Sequence, residues 1–188
     1  SEYARIMACQ RYWEAVHTKG SPIWEEMCDA ILAKSPDIVA IQCYTVNMTS
    51  VKILCNCLKR RKEKVKIVLG GPHIALRAEE TIRSLESVDY CIAENALAVL
   101  PRLVLAENHG VSEQINKIPG LWYRKNGRCR QGDGEPPVLD INALPFADRF
   151  LGNTDGYAPM QHIFTSLGCA WRCAYCSAHR INQGRVLF

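Results

Sequence analysis

Three short apolar runs recur along the chain, each followed by a stretch of helical composition: Asp37-Ile38-Val39-Ala40-Ile41-Gln42-Cys43, Val65-Lys66-Ile67-Val68-Leu69 and Val88-Asp89-Tyr90-Cys91-Ile92-Ala93. Such a run, too short for a helix and nearly free of polar interruptions, suits a parallel strand covered by helices on both faces. Strands alternating with helices assemble as βαβ units, which are right-handed and build an open sheet. The predicted fold class is α/β, a doubly wound parallel sheet.

The stretches between the runs supply the helices. Residues 2–18 have helical composition, with Tyr3, Ile6, Met7, Tyr12, Trp13 and Val16 as apolar positions and Gly20 as a stop. Ser21 before Pro22 reads as an N-cap followed by proline at the first helical position, with Glu25 and Glu26 in the first turn, and this helix should end before Pro36. Further helices are predicted over residues 49–62, 77–86 and about 96–108. The first strand exits through a loop at Thr45 to Asn47, the second through Gly70-Gly71-Pro72-His73. Glycines at the carboxyl end of a parallel strand let backbone approach a ligand closely, and open α/β sheets bind ligands in the crevice beyond those ends. Gly70 and Gly71 are the contacts this argument selects, although a tight strand-to-helix turn would also use them.

The texture changes near residue 110. Ile118 to Arg130 reads as a hairpin whose Asn126-Gly127 supplies a type I′ turn. Gly132 to Tyr157, rich in Gly, Pro, Asp and Asn, reads as a linker. One more strand is expected over Gln161 to Thr165. The resulting division is 1–110 for the α/β domain, 111–160 for hairpin and linker, and 161–188 for the start of a further domain.

Directly after that last strand stands Cys169-Ala170-Trp171-Arg172-Cys173-Ala174-Tyr175-Cys176, a C-x3-C-x2-C spacing. Three thiolates cannot complete the ligation of a four-iron cluster, so the fourth iron is left for a small-molecule ligand. His179 follows three residues later, and a Cys3His zinc site is the rival metal reading. The chain has ten cysteines. Of the others, Cys43 and Cys91 fall in strand-like runs and Cys28, Cys55 and Cys57 in helical ones, where cysteine acts as a small buried hydrophobe.

Composition narrows the class further. Hydrophobic residues make up 48% and charged residues 22%, with mean hydropathy -0.11, ordinary values for a globular domain. No apolar run is long enough to span a bilayer and no secretory signal opens the sequence, so membrane partners are not expected and the localisation expected is cytoplasmic. The formal net charge is +4. The basic run Lys59-Arg60-Arg61-Lys62 reads as a solvated helix end, and nucleic acid is not an expected partner.

The cysteine motif, following a strand and carrying Tyr175 before its third cysteine, resembles the signature of the radical S-adenosylmethionine enzymes. The resemblance implies that Cys169, Cys173 and Cys176 hold a [4Fe-4S] cluster, that S-adenosylmethionine chelates the open iron, and that Tyr175 lies near the adenine. One-electron reduction would then cleave the sulfonium to a 5′-deoxyadenosyl radical, with an electron donor such as flavodoxin or ferredoxin as partner.

The α/β segment resembles the cobalamin-binding domain that precedes the radical domain in one subgroup of these enzymes. The residues that carry this are Pro36 to Ile41 with the loop at Thr45, Val68-Leu69-Gly70-Gly71-Pro72-His73, and Val88-Asp89-Tyr90, joined by Ile118 to Arg124 and Leu144 to Arg149 as a connecting segment. Thr45, Gly70, Gly71 and Pro72 are thereby implied as cobalamin contacts. Glu94-Asn95-Ala96-Leu97 stands where the family has a Gly-Glu-Gly-Glu type stretch. The Asp-x-His-x-x-Gly motif is absent: His17-Thr18-Lys19-Gly20 has the spacing of its second half, but Ala15 occupies the acidic position and no strand precedes it. His17 is read as a helix-end residue, and cobalamin is expected to bind without a protein histidine on the metal.

The function implied is that of the N-terminal part of a cobalamin-binding radical S-adenosylmethionine enzyme, with radical-initiated methyl transfer as the parent reaction. A partial (β/α) barrel would be needed after the cysteines to hold the small-molecule substrate, so negligible turnover is expected of these residues alone. The alternatives are a non-catalytic α/β binding or scaffold module that has lost cobalamin, and a zinc-stabilised module.

Overall fold

The computed structural model describes residues 2–18, 20–110, 112–135, 139–145, 165–182 and 184–187. The expected strand over Gln161 to Thr165 lies outside them except for Thr165, as do much of the expected linker and Phe146 to Arg149 of the connecting segment. Two compact units divide the chain, Ser1–Pro136 and Pro137–Phe188.

The first unit begins with helices α1 (Glu2–His17) and α2 (Pro22–Leu32), then strand β1 (Ile38–Gln42). A 3-10 turn over Thr45–Asn47 leads into α3 (Met48–Arg61), β2 (Lys66–Gly70), α4 (Pro72–Ser84), β3 (Tyr90–Ile92), α5 (Ala96–Asn108) and the short α6 (Ser112–Ile115). Strands β4 (Leu121–Lys125) and β5 (Arg128–Gln131) follow. The sheet order is β1-β2-β3-β4-β5. The pairs β1–β2 and β2–β3 are parallel, and β3–β4 and β4–β5 antiparallel. The hairpin is thus the fourth and fifth strand of the same sheet. Its turn has positive φ at both Asn126 (51°) and Gly127 (72°), as a type I′ turn requires.

Strand alternation distributes the core over two faces. Cys28 of α2, Leu54 and Leu58 of α3 and Ile74 and Ile82 of α4 cover Ile67, Leu69 and Cys91. On the other face Val99 and Leu103 of α5, with Ile115 and Ile118, cover Val68, Tyr90, Ile92, Leu121 and Tyr123. Ile67, Leu69, Ile74, Ile82 and Leu103 are fully buried, and each side chain of this size contributes about 1.5–3 kcal/mol by leaving water.

Polar ties fix the layers. Asp89 Oδ2 accepts from the backbone N–H of Ile67 at 2.8 Å and pairs with Lys59 Nζ at 2.8 Å, joining β2, β3 and α3. Arg124 on β4 donates to the carbonyls of Ile82 and Leu85 at the end of α4, where a cation meets the unpaired carbonyls of the last turn.

Four expectations need correction. Strand β1 is not covered on both faces: it is the sheet's edge among the described residues, with Ala40 and Gln42 exposed, because α5 reaches over β2 and β3 but not over its outer side. The helix predicted at 77–86 begins earlier, at Pro72, whose fixed φ and missing N–H suit the first helical turn. A break at Arg77 (φ -139°, ψ 27°) divides that helix, and the prediction caught only its second half. The basic run at the end of α3 is not simply solvated. Arg60 pairs with Glu25 at 2.9 Å, Arg61 with Glu25 and Asp29, and Lys62 donates to the Pro36 carbonyl at 2.8 Å. Finally, Ser21 precedes α2 as expected but its side chain makes no capping bond.

In the second unit, Asp140 caps a 3-10 turn over Ile141–Ala143 by accepting from the Asn142 N–H at 2.9 Å. Strand β6 (Leu167–Gly168), helix α7 (Ala178–Ile181) and strand β7 (Val186–Leu187) follow, with β6 and β7 antiparallel. Gly168 has φ +100° and passes so close to Arg185 that a Cβ would lie 2.0 Å from its carbonyl oxygen. No helix among the described residues is long and apolar enough to cross a membrane.

Candidate functional site

On the face of the sheet that α5 leaves uncovered over β1, reaching to the carboxyl ends of β1 and β2, lies a groove of about 310 Å³. Ala40 and Gln42 of β1, Val68 and Gly70 of β2, Ile92 of β3, and Ala96 and Leu100 of α5 form its walls. Among these, Gln42 alone has a polar side chain. Its carboxamide donates to the Tyr44 hydroxyl at 3.0 Å.

The two glycines that the sequence paired play different parts. A Cβ at Gly70 would meet no atom within 4 Å, so bare backbone forms the groove's floor and space lies directly above it. Gly71 has φ +98°, and a Cβ there would stand 2.9 Å from the Cys43 carbonyl oxygen and 3.0 Å from its nitrogen. Gly71 is therefore required by the close approach of two backbones, whereas Gly70 is open to a ligand.

That approach knits the exits of β1 and β2. The Cys43 N–H donates to the Gly70 carbonyl at 2.7 Å, and the His73 N–H donates to the Cys43 carbonyl at 3.1 Å. Thr45 Oγ1 lies 3.0 Å from His73 Nδ1. The turn after β1 is closed by Asn47, whose Oδ1 accepts from the Tyr44 N–H at 2.9 Å. Burial lowers the His73 imidazole pKa from its ordinary value, aided by the Arg77 and Lys52 cations against the opposing pull of Glu80. These surroundings favour the neutral ring.

Of the residues singled out for this site, Gly70 and Gly71 line the groove, Pro72 starts α4, and Thr45 is exposed and bonded to His73 outside the lining. Of the stretch Glu94-Asn95-Ala96-Leu97, Ala96 lines the groove. Asn95 Oδ1 accepts from the Leu97 N–H at 3.0 Å and starts α5, which sets Ala96 and Leu100 against the groove. Sequence reading missed these two; small and apolar residues four apart on a helix facing a glycine-ended strand would have pointed to them. No histidine lines the groove among the described residues. His17 ends α1, its Nδ1 2.7 Å from the Trp13 carbonyl and its ring stacked on Trp13.

The cysteine motif has a different character. Cys169 is half-buried, Cys173 and Cys176 are exposed, and a turn joins the latter two through the Cys176 N–H and the Cys173 carbonyl at 3.1 Å. Tyr175 is 94% exposed. His179 packs against Gly184, where a Cβ would be 2.7 Å from its Cε1, and its Nδ1 is buried without a partner. Among the described residues no three His, Cys, Asp or Glu side chains are gathered to hold a metal ion. Neither the three-cysteine nor the Cys3His ligand set is assembled among the described residues.

An open α/β sheet with an apolar groove and a bare-backbone floor at its strand ends defines a ligand-binding domain of the doubly wound class. Residues 7–103 match the B12 binding domain family, and the chain belongs to it. It is 29% identical over 147 residues to an uncharacterized methyltransferase of Pyrococcus horikoshii, covering 76% of this chain and 32% of that protein. With the cobalamin-dependent radical SAM methyltransferase TokK of Streptomyces tokunonensis it shares 27% identity over 184 residues, covering 92% of this chain and 26% of the relative. Among solved structures, the radical S-adenosylmethionine methyltransferase TsrM from Kitasatospora setae, with cobalamin and [4Fe-4S] cluster bound, superposes with a TM-score of 0.63 at 14% identity, over 87% of this chain and 35% of that one. The chain therefore spans about a quarter to a third of the length of these proteins.

Proposed function

We propose that the groove at the ends of β1, β2 and β3 binds cobalamin, and that the chain is the cofactor-holding part of an enzyme performing radical-initiated methyl transfer. The observation that carries this reading is Gly70: an apolar groove in a B12 binding domain whose floor is backbone with open space above it. Ala40, Val68, Ile92 and Leu100 would exclude water from the part of the cofactor that enters the groove. Gln42 supplies a carboxamide at the edge, and among the described residues no histidine lines the wall to reach a metal. When bound, cobalamin supplies a carrier for the transferred methyl group.

The experiment is a titration with hydroxocobalamin followed by gel filtration, on the parent protein and on Gly70→Val. The parent should retain the red chromophore. Gly70→Val, which fills open space at a position without positive φ, should fold normally and bind at least about tenfold more weakly. A folded parent that passes through colourless would favour a scaffold module without the cofactor.

For the second unit the proposal is that Cys169, Cys173 and Cys176 hold a [4Fe-4S] cluster with S-adenosylmethionine at the open iron and Tyr175 beside the adenine. A small electron donor such as flavodoxin or ferredoxin would serve it, and the substrate would be a small molecule. The support is the C-x3-C-x2-C spacing together with relatives named as radical enzymes. Anaerobic reconstitution with iron and sulfide should give a brown protein; a colourless protein carrying one zinc would instead support the Cys3His site.

A further inference from the structure

Two loops leave the strand ends that line the groove at Gln42 and at Gly70-Gly71, and they meet in two ways. Backbone bonds join Cys43 to Gly70 and to His73 at the base. A pair of side chains joins the same two loops: Thr45 Oγ1 and His73 Nδ1, 3.0 Å apart and 28 positions apart in sequence. Thr45 opens the 3-10 turn that follows β1, and His73 stands in the first turn of α4 directly after the glycine pair. Neither side chain touches the groove itself.

The groups around the imidazole favour this contact over others. Arg77 and Lys52 bear on the ring as cations, and Glu80 as an anion is occupied by Arg77 at 2.6 Å. A neutral ring has one donor and one acceptor nitrogen, and a hydroxyl can serve either at Nδ1. A loop free to swing would widen the mouth beside Gln42 and Gly70, and binding would then have to bear the cost of closing it.

We propose that His73 is a positioning residue, which holds the Thr45–Asn47 turn against the β2–α4 loop and so sets the opening of the groove, without contacting the ligand or its metal. The proposal rests on the reading of the groove as a cobalamin site, and its test is built to separate the two.

Thr45→Val, His73→Phe, the double variant and Thr45→Ser are compared with the parent in hydroxocobalamin titrations, with amide hydrogen exchange on the cobalamin-free proteins. Each of the first two should bind roughly three- to tenfold more weakly, as expected for one neutral hydrogen bond. The double variant should bind no more weakly than either, because both remove the same contact. Thr45→Ser, which keeps the hydroxyl, should restore parental affinity. In exchange, residues 43–47 and 71–75 should both lose protection in either single variant. Additive losses, an equal loss in Thr45→Ser, or unchanged affinity would overturn the proposal. Should the parent bind no cobalamin, the groove reading fails, and exchange alone decides the latch: faster exchange confined to the substituted loop would sink it.

Discussion

The sheet and the C-x3-C-x2-C segment both carry cysteines, in opposite surroundings. In the first unit Cys28, Cys43, Cys55 and Cys91 are fully buried. Burial pushes the Cys43 thiol up to about 11 and those of Cys28 and Cys55 to about 12, with neighbouring thiols adding to the effect at Cys28 and Cys55. In the second unit Cys173 and Cys176 lie exposed on a turn. One residue type thus serves as packing material in one place and as open sulfur in the other. The apolar runs around the first set mark it in the sequence, and the helices laid over the sheet bury it.

Alkylation is the hardest test of this contrast. With iodoacetamide near pH 8, Cys173 and Cys176 should react about a hundredfold or more faster than Cys28, Cys43, Cys55 and Cys91, because the buried thiols are shielded and almost wholly protonated. Peptide mass spectrometry over time reads this directly. Core cysteines keeping pace with the exposed pair would break the comparison.

A smaller effect should appear in stability at alkaline pH. A thiol whose folded pKa is raised contributes stability that is complete below the unfolded value, about 8.5, and is lost as pH rises toward the folded value. Between pH 8 and pH 9.5, below the lysine range, the stability of the first unit read from the urea midpoint should fall by about 1 kcal/mol for each thiol that ionises only on unfolding. Replacing Cys169, Cys173 and Cys176 together by serine should leave both that midpoint and its pH slope unchanged to within about 0.5 kcal/mol. A slope that vanished in the serine variant would place the titrating thiols in the wrong unit.

Most of the sheet was legible because its signals are local and redundant. Apolar runs, flanking glycine and proline, and an Asn-Gly turn each restrict the backbone at their own position, and they agree. The elements that escaped did so for identifiable reasons. The early start of α4 was hidden behind Gly70-Gly71, since glycine suggests loop while Pro72 can equally open a helix. The exposure of β1 was not legible, because Ile38-Val39-Ala40-Ile41 has the composition of a strand covered on both faces and nothing in it reports that α5 stops short. The pairing of Arg60 and Arg61 with Glu25 and Asp29 depends on how α2 lies on α3, which no spacing within α3 encodes.

At the candidate site the division is finer. Sequence by itself determined the α/β class, the three parallel strands, the glycine pair at the end of β2 and the cysteine spacing, because each is a periodicity or a steric requirement carried by adjacent residues. Only the tertiary structure decided that Gly70 is open and Gly71 is closed against Cys43, that Ala96 and Leu100 complete a wall, and that His73 faces Thr45. Those facts concern residues far apart in the chain brought within a few ångströms, and the free energy that places them comes from packing two helical layers on one sheet.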